Sequence, residues 1–302
     1  MVRHAEIAAA VCMFLGGVIG CAGDGAGPKA PAPQPWEQPN LERPIVDGNQ
    51  EGLELRVWAV EDQDALIAEL IETYKGRPTP MLDSERTSWR GSGLWAISVP
   101  IDELTLARGR MRLIGVEQQD WLGLMPAWRE VVPGRRVDEG AMIARPGGTM
   151  RSPAGRFRML ARCWTVPGSD GPEMQVEMTV QLQRLHQRPS TQGLSIDATI
   201  PILEQGENFA ELTSGFLMQP GEALVLVPVQ PGFDPESVLG AEPKVDAGPP
   251  VPAVPTVGEA MLTSVELGGV TPVRRRAIIV LIARLPSEFR LLSLSGGEEA
   301  WR

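Results

Sequence analysis

Few side chains in this sequence are suited to nucleophilic catalysis or to metal binding. The chain contains 2 histidines and 3 cysteines, and only His186 and Cys163 lie beyond its first 21 residues. The usual His/Cys zinc sites need three or four ligands. A Ser-His-Asp triad would have to use His186, and the sequence has no Gly-x-Ser-x-Gly stretch. We therefore expect no metal, no cofactor and no catalytic set, with His186 exposed at a strand end and Cys163 buried as a small apolar residue.

Carboxylates that lie close in sequence offer a second kind of chemistry, because glycosidases place two carboxyl groups beside the bond that they cleave. Three such pairs occur, namely Asp62/Asp64, Glu236/Glu242 and Glu298/Glu299. Asp62 and Asp64 also have a structural explanation as negative charges at the start of a helix. Residues 121–128 begin and end with tryptophan and could add a stacking surface for sugar or peptide, although tryptophans more often fill cores. An exported hydrolase or glycan-binding protein is thus one alternative.

The charge balance argues against a nucleic-acid partner. The chain has 28 Lys and Arg against 38 Asp and Glu, which gives a net charge of -10. Non-specific binding to phosphate backbones depends on clustered positive charge. The sequence also lacks the glycine-rich loops that hold nucleotide phosphates. We expect no nucleic-acid partner and no bound nucleotide.

The first 21 residues have the organisation of an export signal. Arg3 gives the head a positive charge, and residues 7–19 form an apolar run. This run is shorter than the roughly 20 residues that a membrane-spanning helix needs. It ends in Val18, Ile19, Gly20 and Cys21. This stretch resembles the lipobox of bacterial prolipoproteins, in which an aliphatic pair and a small residue precede the cysteine that becomes lipidated.

The resemblance implies that residues 1–20 are a lipoprotein signal peptide and that the Cys21 thiol carries a diacylglycerol. Acyl chains such as palmitate would then hold the protein at a membrane. Ala22 follows the cysteine, and in this family a residue other than aspartate favours the periplasmic face of an outer membrane, or the cell membrane where no outer membrane exists. We therefore expect a cell-envelope location. An ordinary cleaved signal with an incidental cysteine is the alternative.

Beyond Cys21 the composition changes twice. Residues 21–49 are rich in proline and glycine and predict a tether. Residues 50–135 predict a small α/β module of βαβ type, with a helix near Asp64 and a polar loop around Ser84 and Ser88. Residues 150–302 predict an antiparallel β-rich domain, either a sandwich or a partly open barrel, with a proline-rich loop at 231–258. The expected fold class is α+β.

Three strand signals in the second half of the chain are specific enough to test. Alternation of apolar and polar residues over 174–183 predicts a β-hairpin with the strand at 157–166. A turn at 219–222 is expected to join a second pair of strands, at 215–218 and 223–229. The apolar run at 277–283 is too short for a membrane span and predicts a buried central strand.

These features favour a non-catalytic, lipid-anchored envelope protein with a structural or protein-interaction role and with envelope proteins as possible partners. Residues 220–227, 254–259 and the apolar run at 277–283 resemble the closing part of secretin outer-membrane channels. That resemblance implies a further alternative, a component of an envelope secretion or pilus assembly.

Overall fold

A computed structural model of the chain describes residues 51–169, 171–184, 200–240, 254–266 and 273–286. The strands are β1 Gly52–Glu61, β2 Leu94–Pro100, β3 Gln118–Gly123, β4 Met125–Val137, β5 Met142–Arg145, β6 Gly148–Arg151, β7 Gly155–Pro167, β8 Pro172–Arg184, β9 Gly206–Met218, β10 Glu222–Pro228, β11 Thr263–Glu266 and β12 Val273–Arg284. The helices are α1 Asp64–Tyr74, α2 Asp83–Gly91, α3 Leu104–Gly109, α4 Pro235–Gly240 and α5 Val257–Leu262, and short 3-10 helices cover Ile101–Glu103 and Ile202–Glu204.

The first sheet is organised around β12. Its strand order is β2-β10-β12-β1-β3, with β11 pairing to the beginning of β12, and all pairs are antiparallel. Ile278 and Val280 project from one face of β12 and Ile279 and Leu281 from the other, and all four are fully buried. Burial of each such side chain contributes about 1.5–3 kcal/mol, so a strand apolar on both faces is most stable in a central position. The prediction of a buried central strand at 277–283 is confirmed.

The second sheet has the order β4-β7-β8-β9, again with antiparallel pairs. The predicted hairpin is confirmed, because β7 and β8 pair along their whole lengths. Alternate residues of β8 are fully buried, from Met174 through Val176 and Met178 to Val180 and Leu182, while the residues between them face the other side. Within the described part of the chain no helix has both the length and the apolar character that crossing a membrane requires.

The two sheets pack face to face, and helices cover the other face of the first sheet. The core between the sheets contains Leu53 and Leu55 of β1, Phe157 of β7 and Met261 of α5. On the far side of the first sheet, α1 and α3 cover a second core. This arrangement confirms the predicted α+β class with a β-rich sandwich.

The structure differs from the predicted division into two domains. β1, β2 and β3, which belong to the predicted module at 50–135, share one sheet with β10 and β12. β1 and β2 are separated by β10 and β12 and run in opposite directions, so α1 and α2 do not form a parallel βαβ crossover. The physical reason is the two-faced apolar character of β12 and β10, which places both strands in the middle of the sheet.

The turn at 219–222 also has a different role from the predicted one. Gly221 has a φ of +90°, as a tight turn requires, but the strands on either side do not pair. β9 pairs with β8 in the second sheet, whereas β10 lies between β2 and β12 in the first. β9 buries one face and β10 buries both, so the turn carries the chain from one sheet to the other.

The predicted polar loop around Ser84 and Ser88 is the helix α2. The Glu85 carboxylate accepts a hydrogen bond from the Leu82 N–H at 3.1 Å, which caps the first turn. Trp89 is fully buried in the core between the sheets, and α2 contacts β2 and β9. The polar composition of this segment therefore predicts a loop, whereas burial of one tryptophan stabilises it as a helix.

Candidate functional site

The predicted site residues fall into two groups. Outside the described residues lie Cys21, His186, Glu242, Glu298 and Glu299, so lipidation of Cys21 stays a prediction. Cys163 belongs to the core between the sheets, and its predicted burial is confirmed. Burial raises the pKa of the Cys163 thiol. Because the thiolate is the reactive form, this cysteine is suited to packing and not to nucleophilic attack.

Asp62 and Asp64 share one buried guanidinium. Arg276, which is 1% exposed, bonds through Nη2 to Asp62 and lies 2.9 Å from Asp64 Oδ1. Arg274 Nε lies 3.1 Å from the second oxygen of Asp62. These ion pairs hold the start of α1 against β12. The two carboxylates therefore stabilise the fold together with the arginines, and they do not form a facing pair around an open cleft.

Other predicted features occupy separate places. Glu236 is exposed on α4 and lies 2.5 Å from Lys75 Nζ. The stretch at 121–128 spans a corner between the sheets, with Trp121 on β3 and Trp128 on β4.

The segments that resemble secretins fall on three elements. Residues 220–227 and 277–283 lie mainly on β10 and β12, which are neighbours in the first sheet. Residues 257–259 begin α5. The secretin-like alternative stays a prediction.

Trp128 has a neighbour that the sequence did not indicate. It lies on the outer face of the second sheet, where the Arg162 guanidinium carbon is 5.1 Å from the Trp128 ring centre and 5.4 Å from that of Trp164. Both rings and the guanidinium are half-buried. Cation–π contacts of this kind contribute about 0.5–1 kcal/mol each at exposed sites, so they help to orient the two rings.

Polar groups on β8 complete this surface. Arg162 faces Glu177 across β7 and β8, and its Nε lies 2.6 Å from Glu177 Oε2. Trp164 faces Gln175 in the same way. We call this set of five residues the Trp–Arg face: Trp128, Arg162, Trp164, Gln175 and Glu177. Its one positive and one negative charge neutralise each other.

The Trp–Arg face continues onto β9 with little obstruction. Gly215 lies opposite Glu177, and Leu217 lies opposite Gln175. Gly215 adds no side chain above the sheet, and Leu217 is 42% exposed. The face therefore combines two fixed indole rings with a polar centre and an exposed aliphatic edge.

The composition of the Trp–Arg face resembles that of binding surfaces. Among the described residues, no group of His, Cys, Asp and Glu is placed to hold a metal ion, and the Glu177 carboxylate is bonded to Arg162. Tryptophan and arginine are enriched at the energetic centres of protein interfaces. Alternation along β7 places Arg162 and Trp164 on one face, but their approach to Trp128 depends on the pairing of β4 with β7, which is interrupted by register shifts. That irregular pairing is why the sequence does not indicate that Trp128 lies beside Arg162.

Comparison with protein-family models, with curated protein sequences and with solved structures gives no match to this chain.

Proposed function

We propose that this chain is a lipid-anchored protein of the cell envelope whose β-sandwich binds a protein partner through the Trp–Arg face. The observation that carries the anchor is the lipobox-like sequence Val18, Ile19, Gly20 and Cys21. Attachment would be at the periplasmic face of an outer membrane, or at the cell membrane. The proline-rich residues 21–49 would let the sandwich reach partners away from the lipid surface.

The strength of a lipid anchor is the sum of the contributions of its CH₂ groups. Each CH₂ group of an acyl chain that enters a membrane contributes about 0.8 kcal/mol, and stable attachment takes more than one chain. A diacylglycerol on the Cys21 thiol supplies two such chains. The body of the protein then needs no membrane-spanning segment of its own.

The Trp–Arg face supports a protein partner by its composition and its rigidity. Half-exposed tryptophans beside an arginine are typical of interface centres, where a few aromatic and guanidinium groups supply most of the binding energy. Arg162 is already held by Glu177 and by both rings. Less conformational entropy is lost on binding when the contacting side chains are fixed beforehand.

Metabolic labelling with a palmitate analogue tests the anchor. We expect the full chain to take up the label and Cys21→Ser to lose nearly all of it, because the thiol is the acceptor of the lipid. Cys163→Ser is the matched control and should keep the label, since that thiol is buried in the sandwich core. Equal labelling of the full chain and of Cys21→Ser would refute the anchor.

Site-specific photo-crosslinking in cells tests the Trp–Arg face. A benzoylphenylalanine at Leu217, beside the face, is expected to give a protein adduct, and the double change Trp128→Ala with Trp164→Ala should reduce its yield about tenfold or more. The matched control places the same probe at Leu82, which is 66% exposed and lies beside α2. We expect no adduct there.

The nature of the adduct separates the alternatives. Adduct formation at Leu82 as strongly as at Leu217, or a yield unchanged by the tryptophan substitutions, would contradict binding at the Trp–Arg face. An adduct removed by glycan-cleaving enzymes and not by proteases would replace the protein partner with a glycan. Adducts in a large ring assembly would favour the secretion or pilus alternative.

A further inference from the structure

A pocket of about 210 Å³ opens between the two sheets at one end of the sandwich. We name it the inter-sheet pocket, and β1, β12, β4, α5 and β11 all contribute to its walls. It is separate from the Trp–Arg face, because it lies between the sheets and that face lies on the outside of the second sheet. It therefore provides an independent place for a ligand.

Two small side chains create the inter-sheet pocket. Ala59 and Ala277 are paired directly across β1 and β12, and both line the pocket. The next pair toward the centre of the sheet, Val57 and Ile279, is larger. Met261 of α5 lies among the lining residues of the opposite wall. Because neither alanine extends far from the sheet, the space in front of this pair stays open and has an apolar floor.

The charged residues that line the inter-sheet pocket are both arginines. Arg135 and Arg275 both line it, and among the described lining residues none is Asp or Glu, although the whole chain carries a net charge of -10. Arg135 donates a hydrogen bond from Nη1 to the carbonyl oxygen of Thr263, which fixes its guanidinium beside the pocket. Glu259 lies on α5 close in sequence to the lining residues Met261 and Leu262, but it does not line the pocket. Its carboxylate accepts a hydrogen bond from the Thr256 N–H at 3.1 Å.

The combination of an apolar floor and a fixed guanidinium selects a particular ligand chemistry. A cavity of about 150 Å³ is enough to bind benzene, so the inter-sheet pocket can hold an aliphatic body of about six to eight carbon atoms. Arginine recognises carboxylates with two parallel hydrogen bonds. We propose that the inter-sheet pocket binds a small monocarboxylate with an aliphatic body, with the carboxylate on Arg135 and the body on Ala59, Ala277 and Met261.

Calorimetric titration with octanoate tests this proposal. The protein is the full chain carrying Cys21→Ser, so that it has no acyl chain of its own to compete for the pocket. We expect octanoate to bind, octanol to bind about tenfold more weakly, and Arg135→Gln to weaken octanoate binding by about tenfold or more, because a charge-assisted hydrogen bond is lost. Arg136→Gln is the matched control, because Arg135 and Arg136 are both exposed residues of β4 and only Arg135 lines the pocket.

A space-filling variant tests the location. Ala277→Phe is expected to abolish octanoate binding, and its thermal unfolding shows whether the sandwich remains folded. If it does not fold, the comparison of Arg135→Gln with Arg136→Gln still decides the matter. Equal binding of octanol and octanoate, equal effects of the two arginine substitutions, or no binding of octanoate at all would each overturn the proposal. None of these results would affect the Trp–Arg face, which is tested by crosslinking.

Discussion

Replacing Glu54 by glutamine is expected to lower the free energy of unfolding by about 3 kcal/mol, which is a large fraction of the stability of a typical domain. The Glu54 side chain is 0% exposed and accepts hydrogen bonds from three donors. Removal of its charge takes the counter-charge from Arg284 and leaves Arg56 with the more distant Glu117 carboxylate, at 3.9 Å. That loss is the costly step, because the paired charges are already removed from most of their water.

The position of Glu54 explains why the effect should be large. Arg56 Nε lies 2.7 Å from one carboxylate oxygen, Gln119 Nε2 lies 2.6 Å from the same oxygen, and Arg284 Nη2 lies 2.7 Å from the other. These donors come from β1, β3 and β12, so one carboxylate joins three adjacent strands of the first sheet. Arg56 and Arg284 keep 21% and 29% of their side chains exposed, and this residual hydration places the expected loss at the lower end for a buried pair.

Glu61→Gln provides the matched control, because Glu61 is the last residue of the same strand. Its partner Arg112 is 70% exposed and lies 3.5 Å away, and exposed ion pairs contribute about 0–1 kcal/mol. Urea unfolding of both variants should show a large decrease in the midpoint for Glu54→Gln and almost none for Glu61→Gln. Similar midpoints for the two variants would mean that burial of Glu54 does not determine its contribution.

Glu54 also marks the limit of what alternation can predict. The alternation in this strand predicts Leu53, Leu55 and Val57 on one face and Glu54 on the other, and the structure has the three apolar side chains at the core between the sheets. Its partners Gln119 and Arg284 come from β3 and β12, which are distant from β1 in sequence, so alternation alone does not predict that Glu54 is buried. β8 and β12 were predictable because each carries its own apolar pattern, whereas the pairing order β2-β10-β12-β1-β3 is set by competition among strands for central positions.

The candidate site also combines features that the sequence shows directly with features that depend on strand pairing. Trp128 stood out in the sequence because a second tryptophan lies close to it, but its actual neighbours, Arg162 and Trp164, are brought to it by the pairing of β4 with β7. The inter-sheet pocket depends on the register that places Ala59 opposite Ala277, and neither alanine is notable alone. The Val18 to Cys21 stretch, in contrast, has its proposed meaning in the sequence itself, since a signal is recognised as an extended segment and not as a fold.

Replacing Gly93 by alanine is expected to destabilise the protein by about 4 kcal/mol or more, which exceeds the effect of most single substitutions. Gly93 has a φ of +80°, a conformation in which a side chain costs roughly 1–2 kcal/mol. A Cβ at this position would also overlap the Thr256 hydroxyl and lie 2.8 Å from the carbonyl oxygen of Val229. The carbonyl oxygen of Gly93 meanwhile accepts a hydrogen bond from the Val229 N–H at 2.9 Å, so the backbone is held from both sides.

The overlap with Thr256 spreads the damage to α5. The Thr256 hydroxyl caps α5 by accepting from the Glu259 N–H at 3.2 Å and also donates to the Val229 carbonyl at 3.1 Å; loss of such a cap costs about 1 kcal/mol by itself. Gly115→Ala separates this contact from backbone strain, because Gly115 has a φ of +83° and no atom within 4 Å of the added Cβ. We expect thermal unfolding to show that Gly115→Ala lowers the free energy of unfolding by about 1–2 kcal/mol. Gly93→Ala should lower it by much more. If the two variants lose the same amount of stability, the whole effect comes from the backbone conformation. The close approach of Gly93 to Thr256 would then not be what holds β2, β10 and α5 together.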